Sequence, residues 1–225
     1  MRFQFRDVRL AFPNLWTPYK GSYGARLIFP EDHSQLIRVK PYIGKDGKEE
    51  APSDRDAILA LGIKLPAANV KVKTKPLFEQ IAKAMVRAKF QGKGDAIFKA
   101  LDAQDKLFYH DGNTKAEYEG FEGNFFVAAN SKTKPATFDQ GRNDVGEGDG
   151  VIYSGCYVVG ALDFWVQDHK EHGKRVNSGL RGIQKLRDGD AFSGGGKAAE
   201  SDDFDDELGV EEGAGEDDDG GDLTA

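Results

Sequence analysis

The stretch from Lys174 to Arg187, if extended, puts Arg175, Asn177, Gly179, Arg181, Ile183, Lys185 and Arg187 on one face and Val176, Leu180 and Leu186 on the other. Cations repeating at strand spacing can follow a row of phosphates, which calls for several positive charges and no special constellation. A solvated outer face would carry the same pattern. Lys71, Lys73 and Lys75 alternate likewise, just before a helical run that carries Lys83, Arg87 and Lys89. Aromatic residues are interleaved with these charges. Trp16, Tyr19 and Tyr23 flank Lys20, with Arg26 close behind, and Tyr109, Tyr118 and Phe121 stand together further on. Rings in loops can stack on unpaired bases for about 1 to 3 kcal/mol each, without requiring a particular base. Packing into a core or a barrel end is the competing use of each ring, above all for Phe125, Phe126 and Phe164 inside strands, while Trp165 lies between the two cases.

Enzyme signatures are poor. His169 and His172 are three residues apart with no evident third ligand, which argues against zinc. The loop Asp144 to Gly150 misses the calcium-loop spacing, and Gly92-Lys93-Gly94 lacks the rest of a phosphate-binding loop. No metal or cofactor is called for, and the expectation is a non-enzymatic binder.

Charge is split along the chain. The formal net charge of −7 is made of 31 basic and 38 acidic residues. Residues 200–225 hold 13 of those acids and no Lys or Arg, leaving a body of 31 − 25 = +6 joined to a tail of −13. Such asymmetry suggests a polyanion-binding surface attached to an acidic interaction segment. The segment Asp202-Asp203-Phe204-Asp205-Asp206-Glu207-Leu208 sets two apolar anchors among acids that a partner could take. A coil of 26 residues spreads over about 30 Å and can act as an intramolecular rival to a nucleic acid. A lone Cys156 excludes a disulfide framework. Early charges at Arg2, Arg6 and Asp7, and the absence of a long apolar run, predict neither leader nor membrane span.

The elements that must hold these residues read as follows. Phe3 and Phe5 share one phase and Val8, Leu10 and Phe12 the other, so a strand slips or bulges near Arg6 and Asp7. After a loop from Pro13 to Gly21, Tyr23, Ala25, Leu27 and Phe29 share one face of a second strand, with Arg26 on the other. From Glu31 to Leu101 the pattern turns helical, most clearly from Pro76, with Leu77, Ile81, Ala84 and Ala88 beside Phe78 and Met85. Strand signals return at Phe121 to Ala129, Val151 to Gln167 and Lys174 to Arg187, with Gly155 and Gly160 free to bend the middle one. This is mainly β with a helical insertion around 31–105, in a folded domain of residues 1–192. A small Greek-key barrel or an antiparallel α+β sandwich fits it. Residues 193–225 read as a disordered Gly-rich linker and acidic tail.

Several segments, in order, resemble the phage-encoded single-stranded DNA-binding proteins with an OB-fold and an acidic C-terminal tail. They are Phe12-Pro13-Asn14-Leu15-Trp16, Tyr23-Gly24-Ala25-Arg26-Leu27-Ile28-Phe29-Pro30, Phe126-Val127-Ala128-Ala129-Asn130-Ser131-Lys132, Tyr153-Ser154-Gly155-Cys156-Tyr157-Val158, and Gly179 through Asp190. The resemblance implies a five-stranded Greek-key barrel that coats single-stranded DNA without sequence preference during phage replication, recombination and repair, in the cytoplasm of an infected bacterium. It implies a tail that recruits replication proteins such as a polymerase, helicase or primase and competes with DNA. The expected DNA contacts are Trp16, Tyr19, Lys20, Tyr23, Arg26, Lys71, Lys73, Lys75, Tyr109, Lys132, Arg175, Arg181, Lys185 and Arg187. A single-strand annealing protein is the nearest alternative, and a metal-dependent nuclease a more distant one. The sequence also admits a homo-oligomer.

Overall fold

Alternating apolar residues from Phe3 onward make one long, irregular strand. In the computed structural model, which describes residues 2–37, 42–43, 49–50, 58–64 and 70–193, β1 runs Arg2–Tyr19 and β2 runs Ser22–Pro30. The expected loop from Pro13 to Gly21 is only the two-residue turn Lys20–Gly21, with φ of 49° and 75°, the backbone a tight hairpin requires. β1 shifts register at three places, two of them marked by left-handed residues and the third between Asn14 and Tyr19. The first falls between Phe5 and Val8, as the slip in phase predicts, at Asp7 with φ 59°. The second lies between Ala11 and Asn14 and takes Phe12 to φ 48°. The extra residue reverses the phase, so Phe12, which shares the alternation of Val8 and Leu10, leaves the core.

The bends let β1 pair with two neighbours. It lies antiparallel to β10 (Tyr157–His169) in its first half and to β2 in its second. β2 pairs with β8 (Asn124–Ser131), and β10 with β11 (Gly173–Arg187), both antiparallel. A short parallel pairing, Ser178 with Ala129 and Gly179 with Asn130, joins β11 to β8 and closes a five-stranded OB-fold barrel in the order β8-β2-β1-β10-β11. β7 (Tyr109–Asp111) extends the sheet beside β8, and β9 (Ala136–Phe138) runs parallel to β11. Val151 to Cys156, read as the start of the long strand, is a turn segment before β10 in which Gly155 has φ 102°.

The segment expected to be helical from Glu31 opens instead with strands. β3 (Ser34–Ile37) pairs with β6 (Val70–Lys73), and β4 (Tyr42–Ile43) with β5 (Glu49–Glu50). The remainder of 38–69 is described only over residues 58–64, where Ile58 to Ala60 are helical. Helix α1 (Thr74–Lys89) keeps Pro76 in its first turn, where a missing N–H costs no intrahelical bond. It buries Leu77, Phe78, Ile81, Ala82 and Val86, whereas of the expected Ala84 and Ala88 the first is only partly buried and the second is exposed. Helix α2 (Gly94–Ala103) packs on α1 at Gly94, where a Cβ would meet Arg87 Cα at 2.6 Å.

The core fills the barrel and its lower end. Phe3, Phe5, Leu10, Leu15, Leu27, Phe29, Phe125, Val158, Leu162 and Leu180 are fully buried inside it, as is Cys156. Phe78 of α1 plugs the end, edge-on to Phe5, Phe29 and Phe108 at centroid distances of 4.9, 5.2 and 5.1 Å. Such aromatic pairs add about 0.5 to 1.5 kcal/mol each beyond area burial. A smaller cluster of Ala11, Ile28, Phe121, Phe126 and Phe192 packs on the outer side of β1, β2 and β8. Among the described residues no helix is long and apolar enough to cross a membrane.

Candidate nucleic-acid interface

With the inner face of the barrel committed to packing, chemistry is left to the outer faces of β2, β8 and β11. Three concavities adjoin there, and Asn130 lines all of them. The largest, about 750 Å³, lies over β2 and is lined by Phe12, Tyr19, Gly24, Arg26, Lys115 and Tyr118 among others. A second, about 350 Å³, runs from Ser22 and Lys132 to Trp165 and Arg181. The third, about 300 Å³, lies between Trp165, His110 and Arg175. They form one path from the β1–β2 hairpin, across the β8–β11 seam, toward the β10–β11 turn.

The rings along this path are exposed, which rings in a folded domain ordinarily are not. The only large aromatics classed as exposed among the described residues are Phe12 (40%), Tyr19 (63%), Tyr118 (42%) and Trp165 (45%), and each lines one of these concavities. Phe12 stands edge-on to Tyr118 at 5.1 Å, held out by the bulge in β1. The Trp165 indole lies over Gly179, where an added Cβ would come within 3.0 Å of Cζ3. Glycine there lets the indole approach the β11 backbone, while the side chain stays exposed.

The cations on the path differ from those elsewhere in their partners. Arg26 sits half-buried on β2 with, among the described residues, only the Ala25 carbonyl as acceptor, at 3.3 Å, and burial lowers its pKa. Lys132 donates to the Gly21 carbonyl and Ser22 Oγ at 3.3 and 3.2 Å, tying the hairpin to β8. Lys20 lies over the Tyr19 ring and Lys115 over Tyr118, at 5.3 and 5.6 Å. None of these four, nor Arg175, has a carboxylate partner among the described residues. A cation taken partly out of water with no acid opposite favours an incoming anion.

Other expected contacts are placed differently. The single cationic face read along Lys174 to Arg187 does not exist, because β11 carries an extra residue at Arg181 and another at Leu186, each reversing the phase. Ile183 is therefore buried, and Lys185 turns inward to the Val151 carbonyl and Asp188. Arg187 pairs with Asp7 and covers Tyr157, away from the path. Arg181 stays on the path but bonds Asp163. Lys73 and Lys75 are held by the Asp32 carbonyl and by Glu31, and with Lys71 they lie by β3, beyond the other end of β2. Trp16 packs against the core and donates Nε1–H to the Val145 carbonyl at 3.2 Å, and Tyr109 packs on Phe78 and Phe108. Burial and nearby Asp102 and Glu79 push the Tyr109 phenol far up, in surroundings that suit no phosphate. Tyr23, half-buried on β2, pairs with Ser131 beside the path. Phe12, Lys115, Tyr118, Asn130 and Trp165 line the path but are not among the expected contacts. Tyr118 and Trp165 were visible as candidate rings, but a phase reversal at Phe12 has no sequence signature.

The β10–β11 turn brings Glu171 to His169 and His172, giving three exposed groups that could approach one ion. His169 Nδ1 already accepts the backbone N–H groups of Glu171 and His172, at 3.2 and 3.3 Å. At the other end of the path Phe192 enters the outer cluster beneath Arg9, 4.1 Å from its ring, and its N–H donates to the Ser154 carbonyl. Ser193 then bonds Glu119, next to Tyr118. Residues 194–225, read as linker and acidic tail, including Asp202 to Leu208, lie outside the described residues.

The chain is 30% identical over 214 residues to the putative protein p50 of Acyrthosiphon pisum secondary endosymbiont phage 1, covering 92% of this chain and 94% of that one. The fold matches the single-stranded DNA-binding protein of bacteriophage Enc34, solved in complex with ssDNA, with TM-score 0.55 and 23% identity over 84% of this chain and 88% of the other. Another structure of the Enc34 protein matches at TM-score 0.54 and 22% identity, over 91% and 90%. The family model described as Enterobacter phage Enc34, ssDNA-binding protein, matches residues 63–218. A barrel of this topology and a match over that span place the chain in the Enc34 family of phage ssDNA-binding proteins.

Proposed function

We propose that this protein coats single-stranded DNA along the path over β2, β8 and β11. The observation that carries the reading is the convergence on that path of the four aromatics that are exposed among the described residues. Unpaired bases offer two π faces to stack on Phe12, Tyr19, Tyr118 and Trp165, and their phosphates meet Lys20, Arg26, Lys115, Lys132 and Arg175. A duplex hides its bases from such rings, so the surface favours the single strand. The left-handed Phe12 adds support, since backbone strain in a bulky residue is retained where function uses it.

Coating is a stoichiometric role that needs no reacting group, and it serves phage DNA replication, recombination and repair in the cytoplasm of the infected host. The tail, with its 13 acids, competes with DNA as a tethered polyanion and offers Phe204 and Leu208 to replication proteins. The test is a titration of labelled oligo(dT), and of an equal-length duplex, with the full chain and with a truncation ending at Ala199, across a range of salt. We expect preference for the single strand, log affinity falling with log salt by about 0.7 per phosphate neutralised, and tighter binding by the truncation. Indifference of both proteins to oligo(dT) at low salt would refute the reading.

A further inference from the structure

The barrel is complete at Arg187, where β11 ends, yet the chain stays on its surface through Ser193. Tyr153 Oη meets Asp188 and Gly189, and Arg9 donates to the Asp190 carbonyl and lies over the Phe192 ring. Gly155 makes room for this crossing, since a Cβ there would fall 2.1 Å from the Asp190 carbonyl oxygen. Phe192 is 5% exposed and seated in the outer cluster with Phe121. Its N–H donates to the carbonyl of Ser154, a residue that lines the largest concavity of the path.

What this strap touches is the turn between β7 and β8 that carries Tyr118. Glu119 accepts the N–H and the Oγ–H of Ser193, at 3.1 Å each, and these bonds hold its carboxyl below the ordinary pKa. Gly120 has φ 83°, and a Cβ there would fall 2.4 Å from Phe192 Cζ, so the turn lies directly against the ring. Phe121 packs in the cluster with Phe192 and stands 5.9 Å from the Phe12 ring. Tyr118 itself is exposed, so the turn behind it, more than its own packing, sets where its ring stands. We propose that Phe192 is a positioning residue for DNA binding: seated beneath Arg9, it holds the 118–121 turn so that the Tyr118 ring stands edge-on to Phe12 at the end of the path, placed to stack on a base. This rests on the path being the single-strand site. A ring fixed before the strand arrives loses less freedom on stacking, which is how a residue that touches no DNA raises affinity.

The experiment measures oligo(dT) affinity of the full chain in a double-mutant cycle of Phe192→Ala and Tyr118→Ala. Tyr118→Ala alone weakens binding by about tenfold, the share of one base stacked on a ring. Phe192→Ala weakens it several-fold, with the slope of log affinity against log salt unchanged because no phosphate contact is lost. In the Tyr118→Ala background it weakens binding no further. Arg9→Lys keeps the charge but loses the fork that clasps the strap, so it shows the same pattern at smaller amplitude and serves if Phe192→Ala fails to fold. No loss on either strap substitution would overturn the positioning role. So would a loss that persists without Tyr118, since a general effect on the fold, or on the chain that follows Ser193, does not depend on that ring. Unchanged binding by Tyr118→Ala would overturn it as well, while leaving the rest of the path intact. Failure of wild type to bind oligo(dT) would overturn the single-strand reading itself.

Discussion

At the scale of single residues, the partners of a side chain separate binding groups from structural ones. Arg26 has no acid to satisfy it among the described residues, so Arg26→Gln should weaken oligo(dT) binding and lower the slope of log affinity against log salt by about 0.7, the share of one phosphate. Trp165→Ala should cost about 1 to 3 kcal/mol of affinity while leaving that slope unchanged, because stacking releases no counterion. Arg187→Gln should do little to DNA affinity, since Arg187 is already engaged with Asp7. His33 belongs to the fold. Its Nε2–H donates to the Arg6 carbonyl at 2.9 Å, and Nδ1 meets Thr74 Oγ1 at 2.7 Å, clasping the first bulge of β1 to the start of α1. Burial lowers its pKa, outweighing the opposing pull of the Arg6 carbonyl, Asp7 and Asp32. The folded state therefore binds fewer protons than the unfolded one just below the ordinary imidazole value of about 6.5. Stability contributed by neutral His33 is full above that value and falls as pH drops through it toward the folded pKa. Urea midpoints measured from pH 7.5 to 5.5 should decline, and the decline should be smaller in His33→Gln.

At the scale of elements, bulges and close contacts decide which residues the strands present. Gly160 faces Leu27 across the barrel, where a Cβ would meet Cδ1 at 2.4 Å, so Gly160→Ala should overpack the interior and cost about 1 to 3 kcal/mol in denaturant unfolding. Phe78→Ala should cost about 3 to 5 kcal/mol, because it empties the plug at the barrel end and removes edge contacts to three rings. A loss under 1 kcal/mol would mean that α1 is not the cap described. The slip at Asp7 is legible in the sequence because it falls between two clear apolar phases. The slips at Phe12, Arg181 and Leu186 are not, since one inserted residue moves every later side chain to the other face without altering composition. Reading β11 without them puts Ile183 and Lys185 outside when both point inward.

For the whole molecule, the function proposed above sets a positive body against an acidic tail in binding a polyanion. Removal of the tail should tighten oligo(dT) binding most at low salt, where a tethered polyanion competes best, and the gain should fade as salt screens both. Titrations of the full chain and the Ala199 truncation at two salt concentrations measure this, and an equal gain at both would point away from electrostatic competition. The charge split, the β-rich alternation, the helix after Pro76 and the order of the family-like segments are all properties of local sequence. The first three follow from side-chain periodicity and charge counts, which need no partner strand and leave a barrel and a sandwich both open; the barrel class and the single-stranded ligand come with the resemblance that the ordered segments carry. Only the tertiary structure decided which rings stay exposed, which cations lack acids, and where the path runs. Those depend on pairings such as β1 with β10 and β8 with β11, between residues more than 40 positions apart in the chain, and on bulges that set the phase only once the strands are aligned.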